Sequence, residues 1–541
     1  MLELVEKKFS KTHKKIFSCR LTLIVALKLP FRKKQLPEAT VGSINNGEHV
    51  TSHPPLPECY IEVERYCVEK PFAEVRIFYS GDEYFYVVEE PALSRLERAL
   101  LERIDEDLRD VLITEDIEGD KEEALREKVK EFLRSYKVPL GDAAFQRIFY
   151  YIKRDYLGFG KINALMRDPN IEDISCNGAG IPVFIYHRKY ENVKTNIVFD
   201  EEELDVFVMR LAQRGGRHLS FGKPMVQATL PGGSRLQATL GREISPRGSS
   251  FVIRKFREIP FTPVDLMRFK TFSADMLAYL WLAIENRRSM LVCGGTASGK
   301  TSTLNALSLF IPSNSKIVTI EDTRELTLYH ENWIAGLTRE SAAADGRGEI
   351  TMFDLLKAAL RQRPECIIVG EIRGEEALTL FQAMSTGHTA YSTMHAGDVQ
   401  EAVSRLENEP INVPGVMLQA LDVMLVQGFA IIEGRRVRRC KSIVEFVGLD
   451  PRTNNIRINE TYRWVPAKDE FEQVAPSKVL EGIAEERGWS PLELNKELLN
   501  RKKILEYMLR EDISDYRGIA KLVRAYHTNP EEVLSRVEAK A

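Results

Sequence analysis

The run Gly294-Gly-Thr-Ala-Ser-Gly-Lys300-Thr301 constrains the fold of this chain more than any other part of its sequence. It has the glycine and lysine spacing of a phosphate-binding loop, and it lies between an apolar run at 290–293 and a helix-like segment. In such a loop the backbone N–H groups surround phosphate oxygens, the lysine reaches the β- and γ-phosphates, and the next hydroxyl can bind Mg²⁺. The sequence therefore predicts a site for a nucleoside triphosphate. Its predicted contacts are Gly294, Gly295, Thr296, Ala297, Ser298, Gly299, Lys300, Thr301 and Ser302, with Thr301 also a magnesium ligand.

Apolar runs alternate with helix-length segments on both sides of this loop. The runs at 290–293, 316–320, 366–369 and 390–394 are short, buried in character and rich in β-branched residues. Alternation of this kind is typical of a parallel sheet with crossover helices. We therefore expect residues 266–475 to form one α/β domain.

A glutamate lies just beyond two of these runs. Glu321 directly follows the run at 316–320, and Glu371 comes two residues after the run at 366–369. A carboxylate at the carboxyl end of a parallel strand faces the crevice in which ligands bind. Phosphoryl transfer needs a carboxylate beside the metal and a group that orients the attacking water. Glu321 and Glu371 can supply these two roles, although either acid alone could equally be a structural cap.

Two histidines, His388 and His395, bracket the run at 390–394. We expect both at the carboxyl edge of the sheet, where they could sense a γ-phosphate or bond to one of the acids. A purely structural hydrogen-bonding role is the alternative for each. A zinc site is disfavoured because no third or fourth ligand is spaced nearby.

Charge and cysteine usage exclude several classes of protein. The chain has 76 Lys+Arg against 79 Asp+Glu, a net charge of −3. Ten of the basic residues lie in the first 36, so the remaining sequence is acidic, which argues against general nucleic-acid binding. A nucleic-acid translocating motor on the same fold stays open as an alternative. The seven cysteines include no C-x-x-C pair, which favours a reducing cytoplasm. The basic N-terminal stretch is either an arm for anionic lipid or a disordered extension.

Four motifs in order, GGTASGKT, TIEDTREL, LRQRPECIIVGEIRGEEA and MSTGHTAYSTMHA, resemble the Walker A, Asp, Walker B and His boxes of the type II/type IV secretion ATPase superfamily. The segment at 168–175 is similar to the N-terminal recognition domain of these traffic ATPases. The resemblance covers roughly residues 140–450. It implies that Glu321 is the catalytic glutamate, that Glu371 is the Walker B acid and a magnesium ligand, that His395 is catalytic, and that His388 contacts the nucleotide.

The same resemblance implies a RecA-like ATPase domain preceded by a smaller α+β, PAS-like domain. It implies a homo-hexamer that hydrolyses ATP with Mg²⁺ at the cytoplasmic face of the membrane and acts on a polytopic platform protein of a pilus, archaellum or secretion machine. The chain lacks the tetracysteine zinc loop of the bacterial secretion members, which favours the archaeal branch and no zinc.

A ring of this kind needs positive charge delivered to the nucleotide from another domain or subunit. Arg235, Arg242 and Arg254 precede the ATPase domain, and Arg235 resembles the family arginine of a Gly-Ser-Arg turn. We predict that Arg235 is catalytic and that Arg254 contacts the nucleotide; a surface ion pair is the alternative for each arginine.

The expected domains are a basic extension and linker at 1–58, a variable α+β unit at 59–142 and the PAS-like domain at 143–258. The ATPase domain at 266–475 and a helical appendage at 476–541 complete the order.

Overall fold

The computed structural model describes residues 60–112, 120–256, 259–339, 347–450, 452 and 455–539, of which the side chains of 110–112 and 435 are not described. These residues fall in two compact units, 60–256 and 259–539. The basic segment and linker predicted for residues 1–58 lie outside the described residues.

The first unit is built on a nine-stranded sheet in the order β1-β2-β3-β6-β5-β4-β9-β8-β7. Neighbouring strands are antiparallel except β3 and β6, which pair parallel through Phe85 and Tyr86. The strands are β1 (Ile61–Glu69), β2 (Ala73–Tyr79), β3 (Tyr84–Glu89), β4 (Ile171–Cys176), β5 (Phe184–His187), β6 (Glu191–Thr195), β7 (Met225–Thr229), β8 (Arg235–Thr239) and β9 (Ser250–Arg254).

Three helices of this unit pack on one another, because each presents apolar residues three or four positions apart. Leu100, Val129 and Ile148 are fully buried in their shared core. The helices of the unit are α1 (Arg95–Leu112), α2 (Lys121–Tyr136), α3 (Asp142–Tyr156), α4 (Asn163–Arg167) and α5 (Glu201–Arg214). Strands β1–β3 thus belong to the same sheet as β4–β9, although the sequence places them in two units. Period-two runs identify strands but not the strands they pair with, so the domain limits stay a prediction.

The second unit is also built on a nine-stranded sheet, in the order β12-β11-β13-β14-β10-β15-β16-β17-β18. It is parallel from β12 to β15 and antiparallel beyond. Every residue of β10, β11, β13 and β14 is buried, as expected for strands covered on both faces. The predicted parallel sheet is confirmed. The strands are β10 (Met290–Gly294), β11 (Ile317–Glu321), β12 (Trp333–Leu337), β13 (Cys366–Val369), β14 (Thr389–Met394), β15 (Val423–Ile432), β16 (Arg435–Leu449), β17 (Ile456–Val465) and β18 (Glu470–Gln473).

The helices at the C-terminus pack into the core of this second unit. Trp281 stacks on Phe310 with ring centroids 5.2 Å apart and meets Tyr526 edge-on at 5.6 Å. The described helices of the unit are α6 (Pro263–Arg268), α7 (Ala274–Glu285), α8 (Lys300–Leu307), α9 (Met352–Leu360), α10 (Glu376–Ser385), α11 (Val399–Glu407), α12 (Lys478–Arg487), α13 (Pro491–Arg510), α14 (Tyr516–Thr528) and α15 (Pro530–Ala539). Among the described residues, none of the helices combines the length and the apolar character that a bilayer span requires.

A buried ion pair joins α7 to α13. The Arg501 side chain is 3% exposed, and its guanidinium donates to Glu285 at 2.7 Å. We expect Arg501→Ala to lower the free energy of unfolding of this unit by about 3 kcal/mol, because Glu285 loses the buried guanidinium and keeps only the longer contacts to His527 at 3.4 Å and Arg487 at 3.8 Å. Denaturant unfolding followed by tryptophan fluorescence measures this, since all four tryptophans lie between 281 and 489.

The next residue, Lys502, provides the matched control. It pairs with Asp275 at 2.9 Å on the surface, with side chains 32% and 55% exposed. Lys502→Ala should therefore cost less than about 1 kcal/mol. Equal effects of the two substitutions would contradict a structural role for the buried pair.

Candidate functional site

The phosphate-binding loop joins the end of β10 to the start of α8. Gly299 has φ 95°, a left-handed conformation that favours glycine. Gly294 lies against β15: a Cβ built on it would come within 2.6 Å of the Gln427 carbonyl oxygen and 2.5 Å of Ser298 Oγ. The loop therefore has no room for a side chain at Gly294, whereas a Cβ at Gly295 would meet nothing within 4 Å.

Lys300 is held inside this loop. Its Nζ donates hydrogen bonds of 3.0 Å to the carbonyl oxygens of Gly294 and Gly295, and the side chain is buried. Burial lowers the pKa of Lys300, and the charge of Glu371 opposes that effect. Ser298 Oγ is buried and has no hydrogen-bond partner among the described residues. A lysine and an unsatisfied hydroxyl in a glycine-lined loop fit a phosphate group.

Glu321 is the last residue of β11 and is 2% exposed. Its Oε1 accepts 2.9 Å hydrogen bonds from the backbone N–H groups of Glu325 and Leu326. Its Oε2 is buried and has no hydrogen-bond partner among the described residues. Burial raises the pKa of Glu321 to about 7, against the lowering effect of the two backbone donors. A carboxyl with one free oxygen and a pKa near neutrality has the properties of a general base.

Glu371 follows the neighbouring strand β13. Its Oε2 accepts a 2.5 Å hydrogen bond from Arg373, and its Oε1 lies 3.1 Å from His395 Nε2. Burial lowers the pKa of His395; the charge of Lys300 adds to that effect, and the charge of Glu371 opposes it. The parallel register places Glu321 opposite Gly370, and a Cβ built on Gly370 would lie 3.2 Å from Glu321 Cγ. The structure thus brings Lys300, Glu321, Glu371 and His395 to one edge of the sheet.

The structure adds Glu376, which the sequence analysis missed. Its Oε1 accepts hydrogen bonds from the backbone N–H groups of Arg373 at 2.6 Å and Gly374 at 2.8 Å. Thr393 fixes the other side of the loop through a 2.7 Å bond from its hydroxyl to the Gly370 carbonyl oxygen. These contacts position the loop that carries Glu371. The pair Glu375-Glu376 after Arg373-Gly374 resembled an ordinary helix start, so the sequence offered little signal for this role.

Two residues of the β15–β16 hairpin also reach the phosphate-binding loop. Gln427 Nε2 donates to Thr303 Oγ1 at 2.5 Å, and Arg438 Nε donates to the Ala297 carbonyl oxygen at 2.9 Å. Ala297 has φ 60°, which is uncommon for a residue with a side chain, and the Arg438 contact stabilises it there. The two residues lie more than 120 positions beyond the loop in sequence, so only the strand pairing of β10 with β15 reveals them.

The placement predicted for His388 was wrong. His388 precedes β14 and His395 follows it, so the two lie at opposite edges of the sheet, roughly 20 Å apart at 3.3 Å per residue. Thr389, next to His388, bonds through its hydroxyl to the Arg287 carbonyl oxygen, before β10 begins. His388 Nδ1 lies 3.4 Å from Thr386 Oγ1. Two residues that bracket one strand cannot share an edge, and a contact from His388 to a nucleotide in this loop of the same subunit is not supported.

The three arginines predicted from the sequence lie in the first unit. Arg235 and Arg254 are direct cross-strand partners on β8 and β9. Arg254 Nε lies 3.3 Å from Asp173, and Arg242 forms an exposed ion pair of 2.6 Å with Glu201. Their roles at the nucleotide stay predictions.

The donors at the sheet edge fit Mg²⁺ bound together with a triphosphate. Among the described residues, no group of three or more His, Cys, Asp or Glu side chains is arranged to hold a metal ion. Mg²⁺ usually takes one or two protein oxygens and completes its shell with phosphate and water oxygens. Thr301 at the start of α8 and the carboxylate of Glu371 supply oxygens of this kind.

Comparison with known proteins gives consistent matches. A family model described as type II/IV secretion system protein matches residues 164–456, and one described as PilB3-like, C-terminal, matches residues 467–541. Two uncharacterized proteins of Methanocaldococcus jannaschii are similar. MJ0900 is 40% identical over 396 residues, 72% of this chain and 71% of that protein. MJ1287 is 51% identical over 248 residues, 46% of this chain and 92% of that protein. The X-ray structure of the Legionella pneumophila ATPase DotB covers 69% of this chain and 92% of its own, with 17% identity and a TM-score of 0.38.

The close approach of Gly294 to β15 gives a paired test of the loop. We expect Gly294→Ala to weaken binding of a fluorescent ATP analogue about 10- to 100-fold, because the new Cβ forces the loop away from the Gln427 carbonyl, an overpacking cost of about 1–3 kcal/mol. Gly295→Ala should bind within about threefold of the unaltered chain, since its Cβ points into open space. Equal losses in both variants would contradict this account of the loop.

Proposed function

This chain belongs to the type II/IV secretion system protein family, and on that premise we propose that it hydrolyses ATP to drive protein transport or pilus assembly. This proposal rests on one observation: Glu321 and Glu371 lie at the same edge of the sheet as Lys300 and the phosphate-binding loop. A protein that only binds nucleotide has no need of a buried carboxyl with a pKa of about 7 beside the phosphate site.

The residues divide the reaction between them. The loop N–H groups and Lys300 bind the β- and γ-phosphates and stabilise negative charge as the terminal bond breaks. Glu321, when ionised, accepts a proton from the attacking water through its free Oε2. His395, 3.1 Å from Glu371 Oε1, can donate a hydrogen bond to the transferred phosphate or hold Glu371 in place. Mg²⁺, held by Thr301 and Glu371, would neutralise charge on the phosphate oxygens. The products are ADP and inorganic phosphate.

The working form is proposed to be a homo-hexamer at the cytoplasmic face of the membrane, acting on a polytopic platform protein. The family match supports a pilus or secretion machine, and the similarity to two Methanocaldococcus jannaschii proteins supports the archaeal branch, in which an archaellum is a further candidate. Arg235 is proposed to reach the nucleotide as a catalytic arginine, with Arg254 beside it as a nucleotide contact. Their cross-strand pairing places the two arginines side by side, with Asp173 3.3 Å from Arg254.

The assembly proposal predicts cooperative turnover. ATP turnover per subunit should rise steeply as protein concentration increases through the micromolar range, and Arg235→Ala should reduce it at least 100-fold, since arginine fingers contribute about 10³–10⁵ in rate. Arg242→Ala is the matched control and should leave turnover unchanged, because Arg242 is held by Glu201 at the surface.

Lys300→Ala and Glu371→Gln should abolish ATP turnover without changing the midpoint of unfolding measured by tryptophan fluorescence. Normal hydrolysis by either variant would contradict an ATPase at this loop.

The pKa of Glu321 predicts a pH profile. Because burial raises this pKa to about 7, the base form is lost as the pH falls below 7, so kcat/KM for ATP should fall about 16-fold between pH 7 and 5.5. In Glu321→Gln the residual activity should be at least 100-fold lower and flat across that range. This variant should bind the fluorescent ATP analogue as tightly as the unaltered chain. If its pH profile matches that of the unaltered chain, Glu321 is not the general base.

A further inference from the structure

A cavity of about 400 Å³ lies in the second unit, away from the phosphate-binding loop. Two elements line it: Leu328 and Tyr329, from the segment between β11 and β12, and the outer face of α14. The α14 residues in the lining include Tyr516, Arg517, Lys521 and Arg524. The volume is within the range of ligand sites in proteins.

The helical wall of this cavity carries a row of exposed positive charge. Arg517, Lys521 and Arg524 are spaced by four and three residues, so they share one face of α14 over about 10 Å. All three are exposed. The side chains of Lys521 and Arg524 form no ion pair or hydrogen bond with a described residue, and Arg517 Nε donates to Tyr516 Oη at 3.2 Å. The nearby Asp515 carboxylate is engaged by the backbone N–H groups at the helix start.

Two half-buried tyrosines, Tyr329 on the opposite wall and Tyr516 at the start of α14, give the cavity an aromatic lining beside the cations, whereas Leu328 is only 7% exposed. A free inorganic anion would satisfy the cations but leave this lining uncovered. An extended peptide presents alternate side chains to opposite sides, with same-side neighbours about 6.6–6.8 Å apart. That spacing is close to the 6 Å rise between Arg517 and Lys521 on the helix.

We propose that this cavity binds an extended acidic segment of a partner protein. Its carboxylates pair with Arg517, Lys521 and Arg524, and its intervening apolar or aromatic side chains pack on the rings of Tyr329 and Tyr516. Charge complementarity supplies the specificity, and packing on the two rings adds affinity.

The same cavity is connected to the candidate active site through a short stretch of backbone. Glu321 Oε1 is held by the N–H group of Leu326, and Leu328 lies only two residues further along. The segment is anchored beyond the cavity, where His330 Nε2 lies 3.1 Å from the Ile311 carbonyl oxygen. A segment bound against Leu328 and Tyr329 therefore bears on the backbone that positions Glu321. This coupling to turnover rests on the proposed function, whereas the binding does not.

Binding is tested on the full chain with a labelled, capped eight-residue peptide of alternating glutamate and tyrosine, by fluorescence anisotropy. The triple variant Arg517→Glu, Lys521→Glu, Arg524→Glu should weaken binding at least tenfold, and the same peptide with glutamine for glutamate should bind at least tenfold more weakly. The matched control is Lys468→Glu, Lys496→Glu, Arg536→Glu, which reverses three exposed cations elsewhere in the unit and should bind as the unaltered chain does.

Several results would overturn the site. They are equal binding by the two triple variants, equal binding of the neutral peptide, and displacement of the peptide by low-millimolar inorganic phosphate. If phosphatidylglycerol vesicles bind through the three cations and the peptide does not bind, the ligand of this surface is an anionic membrane and the peptide proposal is wrong.

The coupling is tested by ATP turnover at saturating peptide, which should change at least twofold in the unaltered chain and not in the Arg517, Lys521, Arg524 variant. Unchanged turnover would overturn the coupling alone. A chain that binds the peptide but does not hydrolyse ATP would overturn the proposed function and leave the binding site standing.

Discussion

The parallel pairing of β10, β11, β13 and β14 is the constraint on which the candidate site depends. Parallel strands end at the same edge, so residues far apart in sequence meet there without any local signal between them. Lys300, Glu321, Glu371 and His395 each follow or end one of these strands. Their register is that of a regular parallel ladder, in which Ile320 pairs with Val369 and Val369 with Ser392.

At this edge, two glutamates are placed in different electrostatic environments. Glu321 is enclosed by the sheet, and burial raises its pKa to about 7. Glu371 instead accepts a hydrogen bond from Arg373 through one oxygen, and its other oxygen lies beside His395. Two carboxyls with different environments can serve two different roles at one site. The two backbone donors on Glu321 Oε1 orient the carboxyl and leave Oε2 without a hydrogen-bond partner among the described residues.

Sequence alone predicted the elements that have local signals. The glycines and Lys300 define a loop, and short β-branched runs ending in Glu321 and Glu371 define strands with acids at their carboxyl ends. It failed for His388, because adjacency to a strand does not specify which edge a residue lies on. It also missed Glu376, Gln427 and Arg438, whose roles depend on hydrogen bonds to backbone groups of other segments. Such roles follow from strand order, and strand order has no local signature in the sequence.

The C-terminal helices are part of the same mechanical unit as the nucleotide loop. Trp281 on α7 packs against Phe310, just beyond α8, and against Tyr526 on α14. Interiors packed at this density transmit displacements because their side chains have few alternative arrangements. A displacement of α14 is therefore shared by α7 and the segment after α8, whereas the segment from Tyr329 back to Glu321 leads directly to the candidate site. The helices at the C-terminus thus have two connections to that site, one through packing and one through the chain itself.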